Sequence, residues 1–183
     1  MDRLVVISGC SGGGKSTLLS ELSRRGHAVA LEPGRRIIAE EMLTGGDALP
    51  WTNMEAFTRR AIDMACTDLK RAMQQVGWVF FDRGLIDAAT ALEHVTGQPV
   101  VAQLGTAYRY DRRVFMAPPW PEIWRNDRDR RHDFDEAVAE YKRLSAAYIR
   151  LGYELVLLPM VSVEDRADFI AETLKFCGAI TAA

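Results

Sequence analysis

The sequence predicts a three-layer α/β domain, a five-stranded parallel sheet with helices on both faces, from three observations. Short apolar runs alternate with longer segments of helical periodicity along the whole chain. The first run, Leu4-Val5-Val6-Ile7, is apolar and β-branched, as a strand buried on both faces should be. Glycine and proline stops punctuate the segments.

In chain order, residues 4–7 make the first strand, and Gly9-Cys10-Ser11-Gly12-Gly13-Gly14-Lys15-Ser16-Thr17 follows it. Leu18, Leu19 and Leu22 then carry helical spacing up to Gly26, where the first helix stops. Residues 27–31 form a short second strand, and a helix over 34–43 ends at Gly45-Gly46. Thr52 and Glu55 read as a capping box that opens a long helix. Its apolar stripe is Met54, Phe57, Ala61, Met64, Ala65, Leu69, Met73 and Val76, and Gly77 ends it. Residues 78–81 are the third strand. Helices over 85–95 and 100–108 are split by Gly97 and Pro99. The fourth strand, 113–117, stops at Pro118-Pro119. A helix with an acidic start covers 133–151, Gly152 ends it, and 153–158 is the fifth strand. Ser162 caps the last helix, whose stripe is Val163, Ala167, Ile170, Leu174 and Cys177.

A chain of 183 residues is expected to be one domain, 1–183, with a sizeable core. Its formal charge of −2 leaves no electrostatic footprint for nucleic acid or an anionic membrane. Cys10, Cys66 and Cys177 have neither pairing nor metal-site spacing and fit a reducing interior. No leader segment is visible, and the longest apolar run, near 155–161, is too short to span a bilayer. The expectation is a cytoplasmic monomer or homodimer.

The strongest motif is Gly9 to Thr17, which matches G-x-x-x-x-G-K-[ST] between a strand and a helix. Glycines at 9, 12, 13 and 14 let the loop curl so that main-chain amides converge on one spot, and the following helix adds its positive end there. Lys15 would set an ammonium on the β- and γ-phosphates, and Ser16 would offer its hydroxyl to Mg²⁺. Gly9, Ser11, Gly12, Gly13, Gly14, Lys15, Ser16 and Thr17 are therefore expected to bind a nucleoside triphosphate, ATP or GTP, with Mg²⁺. The guanine-reading pattern N-K-x-D is absent, since neither Asn53 nor Asn126 precedes a lysine.

In parallel sheets ligands sit beyond the carboxyl ends of the strands, so the residues there carry the next information. Asp82, first after the third strand, would hold Mg²⁺; otherwise it caps the helix from Leu85. Arg83 would aim a rigid fork at an anionic substrate or the transferring phosphoryl group; otherwise it pairs with Asp87 on the surface. Glu32, after the second strand, would accept a proton from an acceptor hydroxyl or hold it in line; otherwise it is a turn acid. Arg35 and Arg36 would hold an anionic group of the acceptor, with at most one facing the cleft because helical neighbours diverge. After the fourth strand comes a segment over about 118–133 that is dense in arginine. Arg125, Arg128 and Arg131 recur every third residue, so a helix would stack them as a lid over the nucleotide. A solvated helix pairing with Asp127 and Asp129 is the alternative.

With these residues in view, the chain resembles the nucleoside and nucleotide kinase branch of the P-loop NTPases. Glu32-Pro33-Gly34 and Asp82-Arg83 are similar to thymidylate and deoxynucleoside kinases, although Arg35-Arg36 departs from the thymidylate pattern. A closer resemblance is to the small AAA-domain ATPases related to the nicotinamide-riboside kinase domain of NadR. It rests on Asp82-Arg83-Gly84, the proline–Trp stretch, Gly152-Tyr153, Pro159, and Ser162 to Arg166. The resemblance implies an ATP-binding, nucleotide-kinase-like fold with an Arg-rich lid. The expected activity is a small-molecule kinase moving the γ-phosphoryl of ATP·Mg²⁺ to a nucleoside, nucleotide or other small acceptor. Its expected catalytic residues are Lys15, Glu32, Asp82, Arg83, Arg125, Arg128 and Arg131. The rival is a nucleotide-regulated module with slow hydrolysis and no small acceptor.

Overall fold

The computed structural model describes residues 3–124 and 133–175. Arg125, Arg128 and Arg131, with about half of the expected lid, and Cys177 lie outside the described residues. The elements alternate as β1 (Leu4–Gly9), α1 (Lys15–Arg24), β2 (Ala28–Ala30), α2 (Pro33–Thr44), α3 (Met54–Met73), β3 (Val79–Asp82), α4 (Leu85–Thr96), α5 (Val100–Ala107), β4 (Arg113–Ala117), α6 (Phe134–Arg150), β5 (Glu154–Leu157) and α7 (Val163–Leu174). The strands form one sheet in the order β2-β3-β1-β4-β5, every pairing parallel.

Alternation along β1 divides the core. Leu4 and Val6 face α3, α4 and α6 through Leu69, Ile86, Leu144 and Tyr148. Val5 and Ile7 face α1 and α7 through Leu18, Leu22, Ala167 and Ile170. A third, smaller cluster of Ile37, Ala61 and Ala88, backed by Phe57, joins α2 to α3 and α4. It matters for function because it lies under the cleft.

Most boundaries shift from the sequence reading by a residue or so, and three of the differences have a clear physical reason. The β1–β3 ladder runs on to the pair Ile7 and Asp82, so Asp82 is the last residue of β3 rather than the first after it. The cap of α3 is Asn53, whose side chain accepts from the Ala56 amide at 3.1 Å, and not Thr52, whose amide is spent on Leu49 in the preceding turn. Finally, α3 ends at Met73, because the Arg3 guanidinium gathers the carbonyls of Met73, Gln75 and Gly77 and leaves Val76 exposed. Asn53→Ala should therefore lower stability by about 1 kcal/mol, while Thr52→Ala changes it little, as read from urea midpoints.

Candidate functional site

The loop between β1 and α1 is shaped by steric necessity. At Gly9, φ is 112° and an added Cβ would meet the Ala117 carbonyl oxygen at 2.3 Å, so only glycine lets β1 run against β4 there. The Cys10 amide continues that contact to Ala117 O at 2.9 Å. From this anchor the chain curls into the start of α1, and Ser11, Gly12, Gly14, Lys15, Ser16 and Thr17 line a cavity of about 600 Å³. Gly9 and Gly13 are not among its lining; the Gly13 amide closes the loop on Cys10 O. Lys15 is buried and donates to the carbonyl of Cys10 at 2.8 Å. Burial, with help from the Arg83 charge, pushes its pKa down, while Asp82, Glu32 and Glu140 oppose that.

Beside the loop, the Ser16 hydroxyl donates to Asp82 Oδ2 at 2.9 Å, while Asp82 Oδ1 is buried with no hydrogen-bond partner. Burial raises the Asp82 pKa and Glu32 adds to this, against Lys15, Ser16 and Arg83. A hydroxyl and a carboxylate with a spare buried oxygen fit Mg²⁺, which takes one or two carboxylates and completes its shell from phosphates and water. Among the described residues there is no cluster of three or more His, Cys, Asp or Glu side chains that could hold a metal alone. The alternative role of Asp82 as the cap of α4 falls to Gly84 and Asp87, since Asp87 accepts from the Gly84 amide at 2.9 Å.

Arg83 is the centre of the site. Its φ is 63°, a left-handed conformation that costs a non-glycine residue about 1–2 kcal/mol. The Arg83 amide bond to Ile7 O holds it there at 3.1 Å. The side chain is only 13% exposed, so the surface pairing open in the sequence is replaced by a buried one. Three carboxylates surround it: Glu140 at 3.0 Å, Glu32 at 3.3 Å and Asp87 at 3.7 Å. Burial alone would lower its pKa; Glu140, Glu32 and Asp87 outweigh that and raise it. Asp87 is itself fixed by the hydroxyls of Ser8 and Tyr148. Glu32, at the start of α2, faces Arg83 with Oε1 and takes the Arg35 Nε at 3.2 Å with Oε2. Two guanidinium groups thus fix the direction of this carboxylate.

Arg36 corrects the sequence reading. It diverges from Arg35 and pairs with Asp68 of α3 in a separate groove beside β2, so it is not part of the cleft. Glu140 and Arg166 line the cavity without having been foreseen as site residues. Nothing local marks Glu140, which is one acid among the mixed charges of α6. Arg166 does carry a signal: it sits one turn into α7, where the helix dipole disfavours a cation.

Beyond Arg83 the cavity continues between α2, α3 and α4 as an apolar chamber of Ile38, Met54, Phe57, Ala61, Ala88 and Ala91. The glycine-rich loop and this chamber meet at Glu32 and Arg83. The site therefore has a glycine-rich end, a charged waist and an apolar end.

A family model described as an AAA domain matches residues 4–166. No curated protein matches the sequence. The structure of deoxyadenosine kinase from M. mycoides with bound dATP is similar at a TM-score of 0.70 and 14% identity, over 94% of this chain and 99% of that one. The NadR protein in complex with NR is similar at a TM-score of 0.72 and 18% identity; all of this chain is covered but only 54% of NadR, so the chain spans about half of that protein. Shikimate kinase from Acinetobacter baumannii in complex with shikimate follows at 0.57 and 14%, over 94% and 93% of the two chains. At these identities the likeness establishes the fold, an all-parallel P-loop α/β domain. No described helix is long and apolar enough to cross a membrane.

Proposed function

Because this chain belongs to the AAA-domain family, we propose that it is a P-loop phosphotransferase that moves the γ-phosphoryl of ATP to the hydroxyl of a small acceptor. One observation carries the reading: the cavity runs without a break from the phosphate loop to an apolar chamber, with Glu32 and Arg83 at the junction. A module that only senses nucleotide has no use for a second chamber. The kinases among the similar structures support the same reading.

In this proposal the loop amides and Lys15 hold the β- and γ-phosphates. Ser16 and Asp82 hold Mg²⁺, which when bound neutralises phosphate charge and fixes the geometry of the chain. Glu32 orients the acceptor hydroxyl and takes its proton, its carboxylate already aimed by Arg35 and Arg83. Arg83, at the waist, stabilises charge that develops on the phosphoryl group.

The chamber also bears on the acceptor. Its described cations, Arg35 and Arg83, are both engaged by carboxylates, and Arg36 faces elsewhere. An apolar, aromatic wall with no uncommitted cation favours an uncharged ring-bearing alcohol, such as a nucleoside, over a phosphomonoester or hydroxy acid. Coupled release of ADP, measured with a panel of nucleosides, nucleoside monophosphates and hydroxy acids, tests this. Stimulation by nucleosides is the expected result. ATP binding with no stimulation by any acceptor would instead support the nucleotide-regulated module.

A further inference from the structure

Arg166 is a charged side chain whose surroundings do not account for it. It is 5% exposed, yet no carboxylate among the described residues forms an ion pair with it. Two of the four acids on its own helix are committed elsewhere, Asp165 to the Ser162 hydroxyl and Asp168 to Arg25. What it does have is weak: Nη1 donates to the carbonyls of Gly13 and Gly14 at 3.3 and 3.4 Å, and Nε is buried without a partner. The guanidinium lies 5.5 Å from the centroid of the Trp120 ring. Burial depresses its pKa, and its place near the start of α7 sets it against the helix dipole. An unpaired buried cation is costly, so a residue of this kind is explained by an anion that arrives.

The geometry says where that anion lies. Arg166 lines the same cavity as the phosphate loop, and its Nη1 is 2.8 Å from where a Cβ on Gly14 would stand. In the sheet, β1 and its loop are central, with Glu32, Asp82 and Arg83 at the β2 and β3 ends. Arg166, Trp120 and Ile123 follow β5 and β4 on the other side. A triphosphate gripped by the central loop, with its γ end toward Asp82 and Glu32, has its nucleoside end toward Arg166.

We propose that Arg166 is a donor-binding residue whose guanidinium pairs with the donor phosphate nearest the nucleoside, so that two buried cations, Lys15 and Arg166, grip the polyphosphate. The assignment rests on the phosphotransferase reading in that it takes the loop to bind a nucleotide. It adds a contact from α7, an element outside the loop, the waist and the arginine-rich segment. Because the contact is made equally before and during transfer, its loss should raise donor KM and spare kcat.

The test compares wild-type protein with Arg166→Gln and Arg166→Lys by ATP titration calorimetry, by steady-state kinetics and by nucleotide-free melting. Glutamine can still donate to the Gly13 and Gly14 carbonyls but carries no charge. Arg166→Gln should weaken ATP binding about tenfold or more, since a charge-assisted hydrogen bond is lost. It should raise donor KM by a similar factor and leave nucleotide-free melting at or above wild type. Arg166→Lys should recover most of the affinity. Arg166→Gln with wild-type affinity overturns this assignment alone, as does an affinity loss matched by a lower nucleotide-free melting temperature, which would make Arg166 a prop for the loop. Wild-type protein that takes up no ATP overturns this assignment and the function together.

Discussion

Glu32→Gln should reduce phosphoryl transfer at least about 100-fold, the lower end for loss of a positioned general base, while ATP affinity stays close to wild type. The two halves of this expectation have separate structural grounds. Glutamine keeps the size of the side chain but cannot take a proton or pair as an anion with Arg83 and Arg35. Arg83 still has Glu140 and Asp87, so the waist stays assembled and the protein should fold normally. The proposed ATP contacts come from a different set, the loop with its Lys15 and the Arg166 guanidinium, and neither Lys15 nor Arg166 is hydrogen-bonded to Glu32. The measurement pairs acceptor-dependent kcat with ATP dissociation constants from calorimetry. A collapse of ATP affinity in Glu32→Gln would show that the carboxylate serves the metal or the loop, and the base assignment would fail.

The route from sequence to fold was short here because each strand and its stop are local. Leu4-Val5-Val6-Ile7 needs only its own side chains to read as a buried strand, and Gly9 to Thr17 specifies its own backbone. Boundaries set by distant partners were not local. No window around Met73 contains Arg3, whose guanidinium decides where α3 ends. Site residues divide in the same way. Glu32, Asp82 and Arg83 stand at strand ends, a position visible in one dimension. Glu140 reaches Arg83 across 57 residues of sequence, and the partners of Arg36 and Arg166 are 32 and about 153 residues away. The left-handed φ of Arg83 was also invisible, because arginine gives no sign of a conformation that tertiary contacts impose.

Asp82→Asn should abolish the magnesium-dependent part of ATP stabilisation while leaving the metal-free fold at least as stable as wild type. The carboxylate is buried, one oxygen holds the Ser16 hydroxyl and the other holds nothing. Without a metal ion, Lys15, Ser16 and Arg83 do not offset the burial of this anion, as its raised pKa, driven first by burial, shows. The sign follows from proton counting. Between the ordinary value of 3.8 and the raised one, folded Asp82 binds more protons than the unfolded chain, so metal-free stability falls as pH climbs through that window. Asparagine removes this slope, because it neither ionises nor carries the penalty. Ligand linkage works in the opposite direction. At a hundredfold excess over its dissociation constant, Mg²⁺·ATP should stabilise the wild type by about 2.7 kcal/mol. In Asp82→Asn the gain on adding Mg²⁺ should shrink to that of ATP in EDTA. Melting curves across pH in EDTA, then with ATP, with and without Mg²⁺, separate the two effects. An Asp82→Asn protein that melts well below wild type in EDTA would identify the carboxylate as a structural partner of Ser16 and Lys15, because a carboxylate whose burial outweighs its protein partners adds no stability until the metal ion binds.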